Sequence, residues 1–325
     1  MKVVITDYEY DSLLPEETVL KKHGIELEAH QCQTEEEVIE VCRYADGIIS
    51  QYAPISRRVI EEMQQCQVIA RYGIGYDSVD VPSASEKGIA VCNVTDYCIE
   101  EVSDHAVTLL LNAARKVSLL SNRVKNGIWD FNEAKPVPRL TKQTLGLIGF
   151  GNIPRKVAVK AAVFGLNVIV FDPFVTQADG VSLVSFDKLL ASSDFVSIHA
   201  PLNEKTKGMI DEAAFKKMKQ NAVLINTARG PLIDEGALVK ALREREIAGA
   251  ALDVMEQEPP VESHTLLSME NVIITPHVAW YSEESEVELK TKAAENTAAV
   301  LTGKKPAYLV NPLKEERVDH DFKSI

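Results

Sequence analysis

Short apolar runs alternate with amphipathic stretches from the first residues of this chain, and that rhythm narrows the fold more than any other feature. KVVIT is followed by LPEETVLKKHG, IELEAH by TEEEVIEVCRYA and DGIIS by ISRRVIEEMQQC, and QVIARYG and KGIAVCN continue the series. Apolar runs this short fit strands buried on both faces, and the stretches between them fit helices lying over those faces. The pattern is β-α-β-α, the mark of a parallel sheet covered by helices. After Pro136 and Pro138 a second series begins, with TLGLIGF, NVIVFDP, SDFVSIHA, NAVLINT, EIAGAALDV and NVIITPH as strands. The expected fold class is α/β, with two doubly wound parallel sheets.

Between the two series, IEEVSDHAVTLLLNAARKVSLLSNRVK reads as one long helix from Ile99 to about Lys125, ended by Asn126-Gly127. Its middle is apolar almost all round, which predicts burial. A last helix runs from about Ser282 to Leu301, and the polar tail from Lys314 to Ile325 reads as frayed.

At 325 residues there is room for two domains with separate cores. The net charge of −13 disfavours affinity for nucleic acid or an anionic membrane, so an anionic substrate needs a local positive site. LLLNAARKVSLL is broken by Arg115 and Lys116, and no stretch approaches the length of a membrane span. Met1-Lys2 leads straight into a strand pattern, so no secretory leader is expected and neither is a location outside the cytoplasm. Cys32, Cys42, Cys66, Cys92 and Cys98 form no C-x-x-C pair, and their odd number argues against a disulfide framework and for reduced, buried thiols. The histidines lack metal-ligand spacing, so no metal is expected.

The chemistry concentrates where strands end. Gly149-Phe150-Gly151-Asn152-Ile153-Pro154 follows the strand TLGLI and opens the helix PRKVAVKAAVFG. Gly149 permits a sharp turn, Gly151 lets backbone approach a pyrophosphate, and the helix start offers N–H groups and a positive dipole end. Asp172 ends NVIVF, where an acid accepts from both ribose hydroxyls and repels a 2′-phosphate. The expected cofactor is therefore NAD. Pro154 stands where the fingerprint usually has glycine; its missing N–H is tolerated in a first helical turn, although its ring threatens to push the helix from the strand.

Arg229 follows the strand AVLIN, and a guanidinium grips a carboxylate through two parallel hydrogen bonds. His277 follows NVIIT and Pro276; neutral it takes a hydroxyl proton, protonated it donates to a carbonyl. The competing reading of His277 is a capping or ion-pair role. DVMEQEPP supplies a carboxylate to tune the imidazole, and Asp253, Glu256 and Glu258 are all near enough. In RYGIGYD, the glycines around Ile74 can present successive N–H groups to a carboxylate, or simply make a turn. Trp280 either walls a substrate side-chain pocket or packs in a core.

RYGIGYDSVD, LGLIGFGNI, HAPLNEKTKGMID, LINTARGPLIDEGAL, ALDVMEQEP and TPHVAWYSEES, in this order, resemble the hallmark segments of the D-isomer-specific 2-hydroxyacid dehydrogenase family over nearly the whole chain. VCNVTDYCIEEVSDHA and HVAWYSEES are most similar to the branch of the C-terminal-binding-protein corepressors and their bacterial relatives, with short phosphoglycerate dehydrogenases close by. The resemblance implies a discontinuous substrate-binding domain, residues 1–98 and 288–325, around a Rossmann-type NAD-binding domain, residues 99–287. It implies Arg229 as substrate anchor, His277 as acid/base and Glu258, among the three acids, as its partner. Cofactor contacts are implied for Asn152, Ile153, Asp172, Ala200, Pro201, Thr206, Ala228 and Asp253, and carboxylate contacts for the backbone of Ile74 and Gly75. It also implies a homodimer that buries the long helix, which suits the apolar run from Val107 to Leu120. No regulatory domain is expected after the last helix, which argues against the serine-feedback form of phosphoglycerate dehydrogenase.

The expected activity is NAD-linked interconversion of a small 2-oxoacid and its 2-hydroxy acid. Two other readings stand beside it. One is an NAD(H)-sensing, protein-binding module like the corepressors; the other is a formate- or phosphite-type dehydrogenase using the same site.

Overall fold

The computed structural model describes residues 1–312, and the tail expected from Lys314 onward lies outside the described residues. The chain divides into two compact units, Met1–Tyr97 with the described residues from Ser282 onward, and Cys98–Tyr281.

The first unit starts β1 (Lys2–Ile5), α1 (Leu14–Lys22), β2 (Glu26–Ala29), α2 (Glu35–Cys42), β3 (Gly47–Ser50), α3 (Arg57–Glu62), β4 (Val68–Arg71), α4 (Val81–Glu86) and β5 (Ala90–Cys92). Its strands lie in the order β2-β1-β3-β4-β5 and every pairing is parallel. The central strand β3 is buried along its whole length, as GIIS requires, whereas edge strand β2 leaves Glu26 and Glu28 in solvent. Charge on an edge discourages pairing with another chain. All five cysteines are buried and free.

The second unit begins with α5 (Ile99–Arg115) and α6 (Val117–Lys125), not the single helix expected. Lys116 breaks it in a left-handed conformation at φ 52, and Asn112 pins the break by accepting the Ser118 N–H and donating to the Ser118 hydroxyl. The expected burial is also only half correct. Val102, Ala106, Val107, Leu109 and Leu110 of α5 are buried, but α6 buries none of its residues.

There follow β6 (Thr144–Ile148), α7 (Asn152–Val163), β7 (Asn167–Phe171), β8 (Ser182–Leu183), α8 (Phe186–Ser192), β9 (Phe195–Ile198), α9 (Glu212–Lys217), β10 (Val223–Asn226), α10 (Glu235–Arg243), β11 (Gly249–Leu252) and β12 (Val272–Ile274). The sheet order is β12-β11-β10-β9-β6-β7-β8, again all parallel. The chain winds outward from β6 in both directions, so β6 and β9 flank a topological switch point. In open α/β sheets the crevice beyond the strand ends at such a point takes ligands.

Helix α11 (Glu283–Leu301) returns the chain to the first unit, packing on α1 and across β3, β4 and β5. Ser282 caps it, accepting the Ser285 N–H while the Ser285 hydroxyl accepts the Ser282 N–H. The helix is therefore one element from its first residue, and the division falls before Ser282 rather than after residue 287 as expected. Asn296 on α11 accepts the N–H groups of Ala307 and Tyr308, and Asn311 accepts the Val91 N–H, which fastens the returning segment beside β5.

Candidate active site

The glycine turn after β6 is built as the sequence reading requires. Gly149 stands at φ +93, and a Cβ there would lie 2.9 Å from the His199 carbonyl oxygen, so the turn and the end of β9 approach too closely for any side chain. Its N–H donates to the Phe171 carbonyl at 2.8 Å, tying the turn to the end of β7. Asp172 completes the brace: one carboxylate oxygen accepts the Phe150 N–H and the other the Phe174 N–H, each at 2.8 Å. A carboxylate has about four lone-pair sites, so two bonds leave acceptor capacity for ribose hydroxyls.

Helix α7 begins at Asn152 with Gly151 as its cap, and Asn152 and Ile153 are its first two residues. Their N–H groups belong to the set that an α-helix cannot satisfy internally. Pro154 sits buried in this first turn and the helix continues regularly to Val163, so the proline ring does not interrupt it. Arg155 covers the turn from outside, with its guanidinium 4.3 Å from the Phe150 ring centroid and Nε donating to the Phe150 carbonyl. In the loop after β9, where Ala200 and Pro201 lie, the Thr206 hydroxyl donates to the Pro201 carbonyl and accepts the Asn203 N–H. These residues fit a dinucleotide: a turn with no room for Cβ, two N–H groups at a helix start, and an acid at the next strand end.

The ends of β10, β11 and β12, adjacent in the sheet, carry the remaining groups. Beyond β10, buried Asn226 donates to the Arg229 carbonyl and accepts the Ala228 N–H, fixing the loop that presents Arg229. Gly230 follows because a Cβ there would meet the Met255 carbonyl oxygen at 1.9 Å. The Arg229 guanidinium donates to the Ala228 carbonyl at 2.8 Å.

Beyond β11, Glu258 turns back on its own loop, one oxygen accepting the Met255 N–H at 2.8 Å and the other meeting His277 Nδ1 at 2.6 Å. Burial pushes the Glu258 carboxyl up, but the His277 hydrogen bond and charge, the Met255 N–H and the Arg229 charge outweigh it and hold the carboxyl below its ordinary range. The Arg229 charge therefore acts on the same carboxylate that His277 touches.

Beyond β12, His277 adopts φ 52, a left-handed conformation uncommon outside glycine. Asp253, which is 1% exposed, makes this possible. Its carbonyl accepts the His277 N–H, and its carboxylate accepts the Thr275 hydroxyl at 2.6 Å and the N–H groups of Val278 and Ala279. His105 on α5 backs this turn, 3.0 Å from the Thr275 hydroxyl and 3.5 Å from the Asp253 carboxylate. Sequence reasoning missed His105; its only signal was a polar residue on the buried stripe of an apolar helix. Trp280, half-buried, stacks edge-to-face on Tyr281 at 5.6 Å. Ile74 and Gly75 belong to the other unit, in the loop after β4, where the Ile74 carbonyl accepts from the Asn93 side chain.

The structure thus brings Glu258 and His277 into contact, with the Arg229 charge among the influences on Glu258, and gives Asp253 to the turn and Glu256 to another partner described below. Among the described residues no group of His, Cys, Asp and Glu gathers to hold a metal ion, and no helix is long and apolar enough to cross a membrane.

Residues 107–279 match the NAD binding domain of the D-isomer specific 2-hydroxyacid dehydrogenases. The chain is 39% identical over 284 residues to a glyoxylate reductase of Korarchaeum cryptofilum, covering 84% of this chain and 85% of that protein. It is 38% identical over 317 residues to a D-3-phosphoglycerate dehydrogenase of Methanocaldococcus jannaschii, covering 96% of this chain but only 59% of that longer protein. A D-lactate dehydrogenase from Aquifex aeolicus, solved with NAD and lactic acid, superposes with a TM-score of 0.86 at 27% identity, covering 95% of this chain and 99% of that one.

Proposed function

The chain belongs to the D-isomer specific 2-hydroxyacid dehydrogenase family, and we propose that it interconverts a small 2-oxoacid and its 2-hydroxy acid with NAD as cofactor. The observation that carries this reading is the 2.6 Å hydrogen bond between Glu258 and His277, with the charge of Arg229 acting on the same carboxylate. A cation, an acid and an imidazole on neighbouring strand ends are what oxoacid reduction requires.

In this proposal Gly149, Gly151, Asn152, Ile153 and Asp172, with Ala200, Pro201, Thr206 and Ala228, would hold the cofactor, which would supply a hydride to the 2-carbon as NADH in reduction and take one up as NAD+ in oxidation. Arg229 grips the substrate carboxylate through paired hydrogen bonds. The backbone N–H groups of Ile74 and Gly75 are assigned to the substrate carboxylate on the family resemblance, and Trp280 to the substrate side chain as a large apolar residue three positions after His277. His277 presents Nδ1 to Glu258, so Nε2 is the nitrogen that gives its proton to the carbonyl oxygen in reduction and takes it back in oxidation. Glu258, held as a carboxylate, stabilises the imidazolium and fixes the ring. Asp253 contributes through the turn it holds.

We also propose a homodimer. Helix α6 and the segment after it expose Trp129 at 89%, Phe131 at 70% and Val117 at 57%, an apolar surface that a second copy would cover. Trp129→Asp is expected to lower the mass found by light scattering towards that of one chain; an unchanged mass refutes this surface. The cytoplasmic location remains part of the proposal.

The relatives above are named reductases and dehydrogenases, which does not favour a corepressor-like binding module. Loss of NADH absorbance with a panel of 2-oxoacids tests the reading. No turnover with any of them would defeat it, and NADH formation from formate or phosphite would redirect it to those anions.

A further inference from the structure

Behind the Glu258–His277 pair stands a second carboxylate and imidazole. Glu235, the first residue of α10 and 8% exposed, accepts the Glu256 N–H at 2.6 Å with one oxygen and meets His264 Nε2 at 3.0 Å with the other. His264 Nδ1 in turn accepts the Leu266 N–H at 3.3 Å, and Leu266 is 1% exposed in the core. Because Nδ1 must offer a lone pair to that N–H, the ring carries its proton on Nε2, aimed at Glu235. One buried carboxylate therefore joins both ends of the 256–264 loop, and Glu258 lies in that loop.

We infer that Glu235 and His264 are positioning residues for the Glu258–His277 pair, an inference that rests on the acid/base reading proposed above. The route is short. Glu235 fixes the Glu256 backbone, Glu258 folds back onto Met255 just before it, and the second Glu258 oxygen sets the orientation of the His277 ring. Gly230 closes the assembly from the other side, where a Cβ would lie 2.4 Å from the Glu256 nitrogen, so the Arg229 loop and the 255–256 backbone seat each other. Loosening the 256–264 loop should displace Glu258 without removing any group that touches substrate. Neither Glu235 nor His264 stood out in the sequence as a functional candidate.

Two substitutions separate this role from mere support. His264→Gln places an amide N–H where Nε2 stands and keeps the bond to Glu235. His264→Asn retains an acceptor near Nδ1 for the Leu266 N–H but cannot reach Glu235. The expected result for His264→Asn is a roughly 10- to 100-fold lower kcat with KM little changed, the scale of a misplaced catalytic group, while His264→Gln stays near wild type. The downfield Nδ1 proton resonance of His277, read by NMR without substrate, should shift in His264→Asn and hold in His264→Gln. Glu235→Gln gives a second entry to the same test, because its carbonyl still receives the Glu256 N–H while its amide faces the imidazole N–H. It should behave like His264→Asn. Lower thermal stability with unchanged resonance and unchanged kcat would overturn the inference. A shifted resonance with unchanged kcat would uphold the positioning and overturn the acid/base reading instead.

Discussion

The second unit holds two imidazole–carboxylate pairs wired in opposite senses. His277 turns Nδ1 to Glu258, and His264 turns Nε2 to Glu235. Glu235 is the better buried of the two acids, with a side chain 11% exposed against 34% for Glu258, and both nitrogens of His264 are engaged by groups of the fold itself. That pair acts as a strut. His277 instead rides a left-handed turn at a strand end, held from below by Asp253, with the Arg229 charge bearing on its partner. The same two side chains thus make a support in one place and, in the proposed mechanism, a proton-transfer device in another. What separates them is which nitrogen the carboxylate takes.

Mutations can sharpen that contrast. His277→Ala is expected to lower turnover by about 10²- to 10⁴-fold, the range for a positioned acid/base, with NADH affinity retained. Steady-state kinetics and fluorescence titration check both halves, and near-normal turnover would make His277 another strut. Glu258→Gln is expected to cost roughly 10- to 100-fold, the usual effect of losing a partner that orients an active group, because the amide oxygen still accepts from Nδ1 without the charge. Acid stability should change with it. The Glu258 carboxyl is held below its ordinary value of 4.5, so its contribution is present above that pH and is lost as pH falls through the depressed value. Unfolding of Glu258→Gln should therefore depend less on pH in that acid window, and an identical dependence in the two proteins would show that Glu258 does not contribute there. The smallest effect is expected from Arg229→Lys, which keeps the charge but loses the paired grip. Its KM for the oxoacid should rise by about tenfold, the equivalent of one charge-assisted hydrogen bond. An unchanged KM would count against Arg229 as the anchor.

Much of this fold is legible in the apolar rhythm because strands buried on both faces need continuous apolar runs, as GIIS and FVSI show. β8 is not legible: Ser182-Leu183 at a sheet edge is too short to carry a period. Nor is the helix break at Lys116, since a left-handed lysine is announced by neither glycine nor proline. At the site, Arg229, His277 and Asp172 stand out by residue type and place at strand ends. The partner acid does not. Asp253, Glu256 and Glu258 are equivalent on the page, and three-dimensional placement distinguishes them: Asp253 is buried under the turn, Glu256 lends its backbone to Glu235, and Glu258 reaches the imidazole. Pro154 is a milder case. A first helical turn has no use for the N–H that proline lacks, and the helix runs on unbroken from it.

The most direct test is a crystal structure of the protein with NADH and oxamate, an unreactive mimic of a 2-oxoacid. The account predicts the oxamate carbonyl oxygen within about 3.2 Å of His277 Nε2, hydrogen-bond reach for a proton donor, and its carboxylate in a paired grip by Arg229. Oxamate bound away from Arg229, or a His277 ring turned so that Nε2 faces Glu258 instead of the ligand, would contradict it.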